Sequence, residues 1–343
     1  MIINGVDLAG LAHEAGSVEY PAPKQGRTVH IDADFLAYQV SYEKPEDPKD
    51  FGDMKHNATV AVDHIKKLAG ATKVHLHLTP GTSDKGDRYN IALLKEYQGN
   101  RVDKPKPRYL HIMRQYLADE FPATMHQRCE ADDGMSSSQY AALSAGDTQL
   151  SIIASKDKDL SMVPGLAVDW DTGRITEEPG FGSIWLDETK SAKKLVGRGY
   201  KFFWAQMLMG DSADNISGLP LLAPSIRIQT RDLPKDILAI VERMETSVDG
   251  LLPIKLQAKL DTLAPSKIGP AKTFQLLEGI TSNKDAFLFV KDAYKALDGS
   301  FKNWRTGEPI SWQQAFISEA QLLWMRRDKH NADCVKQFIK EIQ

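Results

Sequence analysis

Three carboxylates fall within four positions in Glu130-Ala131-Asp132-Asp133, directly ahead of the helically spaced apolar run Met135 to Leu143. Anions this close repel one another strongly unless a cation sits among them. Acids at a helix start also suit the helix macrodipole, so the triplet alone leaves two readings open. The same pattern recurs, however. Thr28-Val29-His30-Ile31 reads as a buried strand and runs into Asp32-Ala33-Asp34, and the continuous apolar run Leu150 to Ser155 runs into Lys156-Asp157-Lys158-Asp159. A fourth pair, Asp211 and Asp214, follows the helical segment Lys201 to Met209 at a spacing that puts both on one face of a turn. A carboxylate at the carboxyl end of a central strand stands where open α/β sheets keep their ligands. A chain with this pattern either folds its acids into one pocket or spends each on a separate helix start. Asp32 favours the pocket, whereas Asp34 suits a helix cap as well as a metal.

Between the acidic elements, strands alternate with helices in the manner of a largely parallel sheet. Asn57 to Leu68 has helical spacing, Lys73 to Leu78 reads as a strand, and Met125 to Cys129 as another. Val168 to Thr176 forms a short hairpin around Thr172-Gly173, and Lys201 to Met209 reads as an amphipathic helix. His75 and His77 share a strand face and read as half-exposed strand residues rather than ligands. The boundaries expected are a leader at 1–27, a core at 28–210 and a helical region at 211–343, the last with an insertion at 221–266.

The formal net charge of −3 argues at first against a nucleic-acid partner. Once the clustered acids are set aside, Lys and Arg outnumber the remaining carboxylates, so a basic rim around an acidic pit is compatible with that balance. The segment after Pro80-Gly81 mixes Lys85, Arg88, Lys95, Arg101, Lys104 and Lys106 with Tyr89 and Tyr97. Such a mixture suits a phosphate backbone and splayed bases. Further on, Lys267-Ile268-Gly269-Pro270-Ala271-Lys272 is a glycine turn with Pro at a first helical position, which offers backbone N–H groups and lysines to a phosphate. The start of the chain lacks a signal-peptide pattern, no apolar run reaches membrane-spanning length, and the two cysteines lie far apart. A reducing, cytoplasmic setting and a monomer follow as expectations.

Taken in order, Ile31-Asp32-Ala33-Asp34, Tyr97-Gln98-Gly99-Asn100-Arg101, Glu130-Ala131-Asp132-Asp133, Ser155 to Asp159, Gly210 to Ile216 and Ile268 to Lys272 resemble the 5′-nuclease family of phage 5′→3′ exonucleases, flap endonucleases and the 5′-nuclease domain of bacterial DNA polymerase I. The resemblance covers residues 28 to about 280. It implies an α/β, PIN-like nuclease core with a central, mostly parallel sheet. A gateway at about 80–120 would arch over the site, and the helical C-terminal region would carry a helix-hairpin DNA-binding element. It implies two Mg²⁺ ions, replaceable by Mn²⁺, and K⁺ at the hairpin. By that likeness Asp32, Asp84, Glu130, Asp132 and Asp133 serve the first metal, directly or through water. Asp157, Asp159, Asp211 and Asp214 serve the second, with Asp157 as a bridge. Tyr97, Lys104, Lys106, Lys267, Gly269 and Lys272 would contact DNA bearing a 5′ end or flap, or an RNA–DNA hybrid. The host would be a bacterial cell if the chain is phage-encoded. This chain departs from the pattern at Gln98, where the family has Lys; Arg101, Arg88 or Lys95 would supply the charge. Asp87 is the alternative to Asp84.

The rival functions are a PIN-type ribonuclease, a DNA-binding module with a decayed site, and a small-molecule phosphatase that would have no use for the gateway or the hairpin.

Overall fold

In the computed structural model, which describes residues 2–3, 6–7, 20–44, 48–102, 104–189, 193–230, 233–246 and 252–343, the apolar run Ser151–Ala154 is a central strand, buried at every residue. It belongs to a six-stranded sheet of β1 (Lys24–Asp32), β2 (Ala71–Leu78), β3 (Ala123–Met125), β4 (Ser151–Ala154), β5 (Gly165–Val168) and β6 (Ile175–Glu178), in the spatial order β3-β2-β1-β4-β5-β6. Every neighbouring pair is parallel except β5 with β6, the hairpin expected around Gly173. The α/β architecture with a mostly parallel sheet is therefore as expected. β1 is longer than its apolar stretch suggested, because Lys24 already pairs with Ala71. Most of the leader lies outside the described residues.

Helices α1 (Ala33–Ser41), α2 (Phe51–Leu68) and α3 (Leu110–Glu120) cover one face of the sheet, where Val29, Ile31, Leu76, Leu78, Ile152 and Ala154 meet Leu36, Met54, Val62 and Met113. The period-2 alternation of strands sends the intervening residues to the opposite face, under α4 (Ala131–Ser144). There Ile153 packs on Met135, and the Ser151 hydroxyl donates to Gln139 Oε1 at 2.6 Å. His77 is buried on this face, with ring nitrogens 3.0 Å from His30 on one side and 3.0 Å from His126 on the other; it is not the half-exposed residue the strand pattern suggested. Gly134 is what lets α4 cross so close, since a Cβ there would lie 2.2 Å from His126 Nε2.

A second hydrophobic core holds the helical remainder. The hairpin β7 (Ser183–Asp187) and β8 (Lys194–Arg198), absent from the expected strands, leads into α5 (Tyr200–Met209). That helix is buried from Tyr200 to Leu208, so it is a core helix and not an amphipathic one. It packs against α9 (Pro270–Leu277), α10 (Asn283–Lys295) and α11 (Trp312–Leu323), with α12 (Cys334–Ile342) closing the cluster. Between α5 and α9 lie α6 (Pro224–Gln229), α7 (Lys235–Thr246) and α8 (Leu252–Asp261), and a two-residue antiparallel pairing of Leu221–Leu222 with Ser266–Lys267.

Candidate metal and nucleic-acid site

The strand order reverses between β1 and β4, and the crevice at the carboxyl ends of such a pair is the standard ligand position of an open parallel sheet. Asp32 ends β1 there and Asp157 follows β4. A cavity of about 700 Å³ opens at this point, with Asp32, Asp34, Glu130, Asp132, Asp157 and Asp214 on its wall. Ser155 ties the two strand ends together. Its hydroxyl donates to Asp32 Oδ2 at 2.8 Å and accepts from the Asp157 backbone N–H at 2.9 Å. Asp32 Oδ1 also accepts from Phe35 N at 3.0 Å, which makes Asp32 the cap of α1. Asp34, for which the sequence left a cap and a metal role open, is not that cap: it accepts from Thr79 N at 2.9 Å and pairs with Arg114 at 2.9 Å.

These carboxylates are held in a costly state. Burial pushes Asp32 up to about 6. Asp157 opens onto the cavity, yet its enclosed position and then Asp32 push it to about 6 as well. Burial, then Asp157, Asp32 and Glu130, raise Asp132 well above the carboxylate range. Asp159 is pushed up to about 8 by burial and then by Asp157. Like charges brought together in a poorly solvated pocket favour uptake of a cation.

Asp159, Asp211 and Asp214 form a second convergence: one oxygen from each lies within 4.8 Å of the others. The loop that carries Asp211 and Asp214 is closed by a backbone bridge, with Asp211 N donating to Ile216 O at 3.0 Å and Ile216 N to Asp211 O at 2.8 Å. Its neck is Gly210, whose φ of +72° is open to glycine and whose Cβ would meet Ile216 O at 2.3 Å. Lys158 reaches into this group, 2.7 Å from Asp211 Oδ2 and 3.2 Å from Asp159 Oδ1. Gln206 Nε2 donates to Asp159 Oδ1 at 2.7 Å, while its Oε1 is buried without a partner.

The Tyr97 to Arg101 turn docks on the same loop. Gln98 N donates to Asp214 O at 2.9 Å, Asn100 Nδ2 to Ser212 O at 2.7 Å and Arg101 Nε to Ala213 O at 3.1 Å. Arg101 also pairs with Asp214 at 2.6 Å. Tyr97 is buried and donates to Glu130 Oε2 at 2.7 Å, so it braces a carboxylate and offers no ring to a base. Gln98 Nε2 donates to Asp214 Oδ1 at 2.9 Å. Lys85 Nζ donates to Gln98 Oε1 and lies 3.7 Å from Glu130 Oε1.

Several expected residues stand elsewhere. Asp133 is fully buried and receives both Arg88 terminal nitrogens at 2.6 and 2.9 Å, with Arg326 N at 3.3 Å. Burial alone would raise it, but Arg88 holds it below the ordinary carboxylate range. It is a structural anchor rather than a metal ligand, and Arg88, spent on it, is not a free cation for a phosphate. Asp84 is exposed, accepts from Gly86 N at 2.8 Å and is absent from the described cavity wall. Its alternative, Asp87, is exposed and bound to the Asn90 side chain at 2.6 Å. Lys95 is exposed and is not among the residues of the described cavity wall. Of the expected DNA contacts, Lys106 lines the cavity, whereas Lys104 and Lys267 are exposed away from it. Gly269 caps α9, and Lys272 Nζ bonds Gln275 at 3.3 Å. Lys85 of the basic segment also stands on the wall, with Arg114, Lys156, Lys158 and Lys194, which the sequence did not single out as site residues.

The donor set fits a hard divalent cation. It is carboxylate oxygen throughout, and no Cys or His stands among the described lining residues.

No protein-family model matches the chain, and no curated protein does. Among solved structures the chain is similar to the T5 5′-exonuclease with bound zinc (TM-score 0.42, 16% identity, covering 87% of this chain and 100% of that one). It is also similar to the bacteriophage T5 flap endonuclease in a pseudo-enzyme–product complex with DNA and metal ions (TM-score 0.41, 15% identity, covering 87% and 99%). The catalytic core of Rad2 in complex with a DNA substrate is a further neighbour (TM-score 0.30, 13% identity, covering 92% and 93%).

Proposed function

We propose that the chain is a divalent-metal-dependent 5′-nuclease that hydrolyses phosphodiesters of DNA carrying a 5′ end or 5′ flap. The observation that carries this reading is the convergence of Asp32, Glu130, Asp132, Asp157 and Asp214 on one cavity whose wall also holds Lys85, Arg101, Lys106, Lys156 and Lys194. A pit of carboxylates ringed by lysine and arginine suits a polyanionic substrate that meets its counter-ions at the bottom. Asp32, Glu130, Asp132 and Asp157 would hold one Mg²⁺, and Asp159, Asp211 and Asp214 a second. Such ions, when bound, activate water and offset charge at the phosphorus.

The chain's own groups then divide the remaining work. Lys85 and Arg101, at the edge of the acids, hold the phosphate; Lys85 takes the place of the lysine that the family has where Gln98 stands here. Tyr97 and Gln98 fix Glu130 and Asp214 as the strand enters. The basic segment from 85 to 108 admits the 5′ end. The turn at Lys267 to Pro270 holds the duplex by its phosphates, without regard to sequence, and would take K⁺ beside the α9 N-terminus. The 28–210 core then supplies most of the cleavage site and the helical 211–343 region adds Asp211 and Asp214 to it, while its turn at Lys267 to Pro270 grips the duplex.

End-labelled flap, nicked, blunt and single-stranded DNA, each with Mg²⁺, Mn²⁺ or EDTA, test this reading, with an RNA flap as a further arm. Cleavage of DNA from the 5′ side that EDTA abolishes is expected. Cleavage of RNA alone, or binding without cleavage in both metals, would refute it.

A further inference from the structure

We infer that Lys158 is a tethered competitor for the second metal position, so that its side chain must leave before a divalent ion can enter. The inference rests on the metal reading of the acidic cavity proposed above. Lys158 lies between the two acids it separates in space, with Nζ 2.7 Å from Asp211 Oδ2 and 3.2 Å from Asp159 Oδ1. Asp211 is almost fully buried, and its Oδ1 is committed to the Ala213 backbone N–H at 2.9 Å. Its Oδ2 is therefore the oxygen left for a cation, and the ammonium already has it. Asp159 Oδ1 is shared between Lys158 and Gln206 in the same way. Mg²⁺ binds carboxylate oxygens at about 2.0–2.1 Å, well inside these contacts. The ammonium and the ion cannot hold the same pair of oxygens.

The site also gives the displaced ammonium a destination. Lys158 is partly exposed, 28% by side chain, and it lines the large cavity beside Lys156 and Asp157. A swing of its four-carbon stem takes the charge from the closed Asp159–Asp211 corner into the space where a substrate phosphate would lie. Phosphate in the cavity would draw the ammonium outward and free the two oxygens. Substrate and second ion would then favour each other's binding through one side chain, and the thermodynamic coupling must run both ways. Without nucleic acid, Lys158 serves as the counter-ion of Asp211.

The test is Mn²⁺ binding to the full chain in the absence of nucleic acid, followed by calorimetry and by the electron paramagnetic resonance signal of free Mn²⁺, for wild type, Lys158→Gln and Lys158→Met. Wild type should bind one ion tightly and a second weakly. Both variants should bind the second ion at least about tenfold more tightly, with the first unchanged. Two chemically different replacements guard against a folding defect in either, and the intact first site reports that the protein is folded. An unchanged or weakened second site in a variant that keeps the first overturns the inference and leaves the metal reading standing. Absence of Mn²⁺ binding in all three proteins overturns both. A second arm adds a short single-stranded DNA to wild type. Tighter binding of the second ion is expected with the DNA, and an affinity that the DNA does not move counts against the ammonium's exit toward phosphate.

Discussion

Arg88→Met removes one half of an ion pair that water does not reach. Arg88 is 1% exposed and Asp133 is 0% exposed, and the two share a bidentate contact at 2.6 and 2.9 Å. Breaking a buried pair from one side costs about 3–5 kcal/mol, because the remaining charge is left without a partner. Arg326 stands behind Asp133, with its backbone N–H at 3.3 Å and Nε at 3.8 Å, and it softens the loss toward the lower figure. Asp133→Asn leaves two buried guanidinium groups facing a neutral amide and belongs at the upper figure. At a urea m-value of about 3 kcal/mol/M these losses lower the midpoint by about 1–1.7 M. The double variant Arg88→Met/Asp133→Asn should recover about 2 kcal/mol or more of the summed single losses, as a coupled pair does. Urea unfolding followed by circular dichroism reads all four proteins. Single variants that lose less than about 1 kcal/mol, or losses that simply add in the double variant, would refute the anchoring role of Asp133. They would return it to the set of candidate metal ligands.

Asp132→Asn or Asp157→Asn should abolish Mg²⁺-dependent cleavage while DNA binding by gel shift stays near wild type; near-normal turnover by either contradicts the carboxylate cluster. Lys85→Ala and Arg101→Ala should each lower the single-turnover rate at least about tenfold, roughly 1.4 kcal/mol. Lys95→Ala should leave it unchanged, and the reverse ranking would discard the placement of phosphate beside Gln98. Burial raises Glu319 from 4.5 to about 8, where it accepts from Gly218 N at 2.6 Å. The folded state therefore holds a proton the unfolded state releases, so stability present below pH 4.5 is lost as pH rises toward 8, by at most about 1.4 kcal/mol per unit. Denaturation of Glu319→Gln across that window should lose this slope, and a slope equal to wild type would discount it.

The sheet was legible because burial leaves a plain mark: apolar runs such as Leu150 to Ser155 stop at the acids they deliver. The meeting of Asp32 and Asp157 was legible for the same reason, since the one ends and the other closely follows adjacent parallel strands. Asp133 was misplaced by counting acids without rotating them. Successive helical residues point about 100° apart, and in the first turn of α4 Asp132 faces the cavity while Asp133 turns to Arg88. Tyr97 was read as a stacking ring, and only its contact with Glu130 reveals it as a brace. Lys85 lies in a loop where Lys85, Asp87 and Gln98 all take positive φ, a path no periodicity encodes. The β7–β8 hairpin did leave a mark, with buried Ile184 and Leu195 set between exposed or half-buried neighbours, but five residues of alternation are easily passed over. In α5 only Lys201 and Gln206 break an apolar run, and Lys201 escapes burial of its charge by donating to Glu278 O at 3.1 Å.

The most direct test is anomalous diffraction from crystals soaked in Mn²⁺ together with a 5′-flap DNA. Two manganese peaks are expected in the one cavity, the first touching Asp32, Glu130, Asp132 or Asp157 and the second touching Asp159, Asp211 or Asp214, with a DNA phosphate beside them and Asp133 still on Arg88. Manganese bound elsewhere, or a phosphate path that avoids this cavity, would contradict the account.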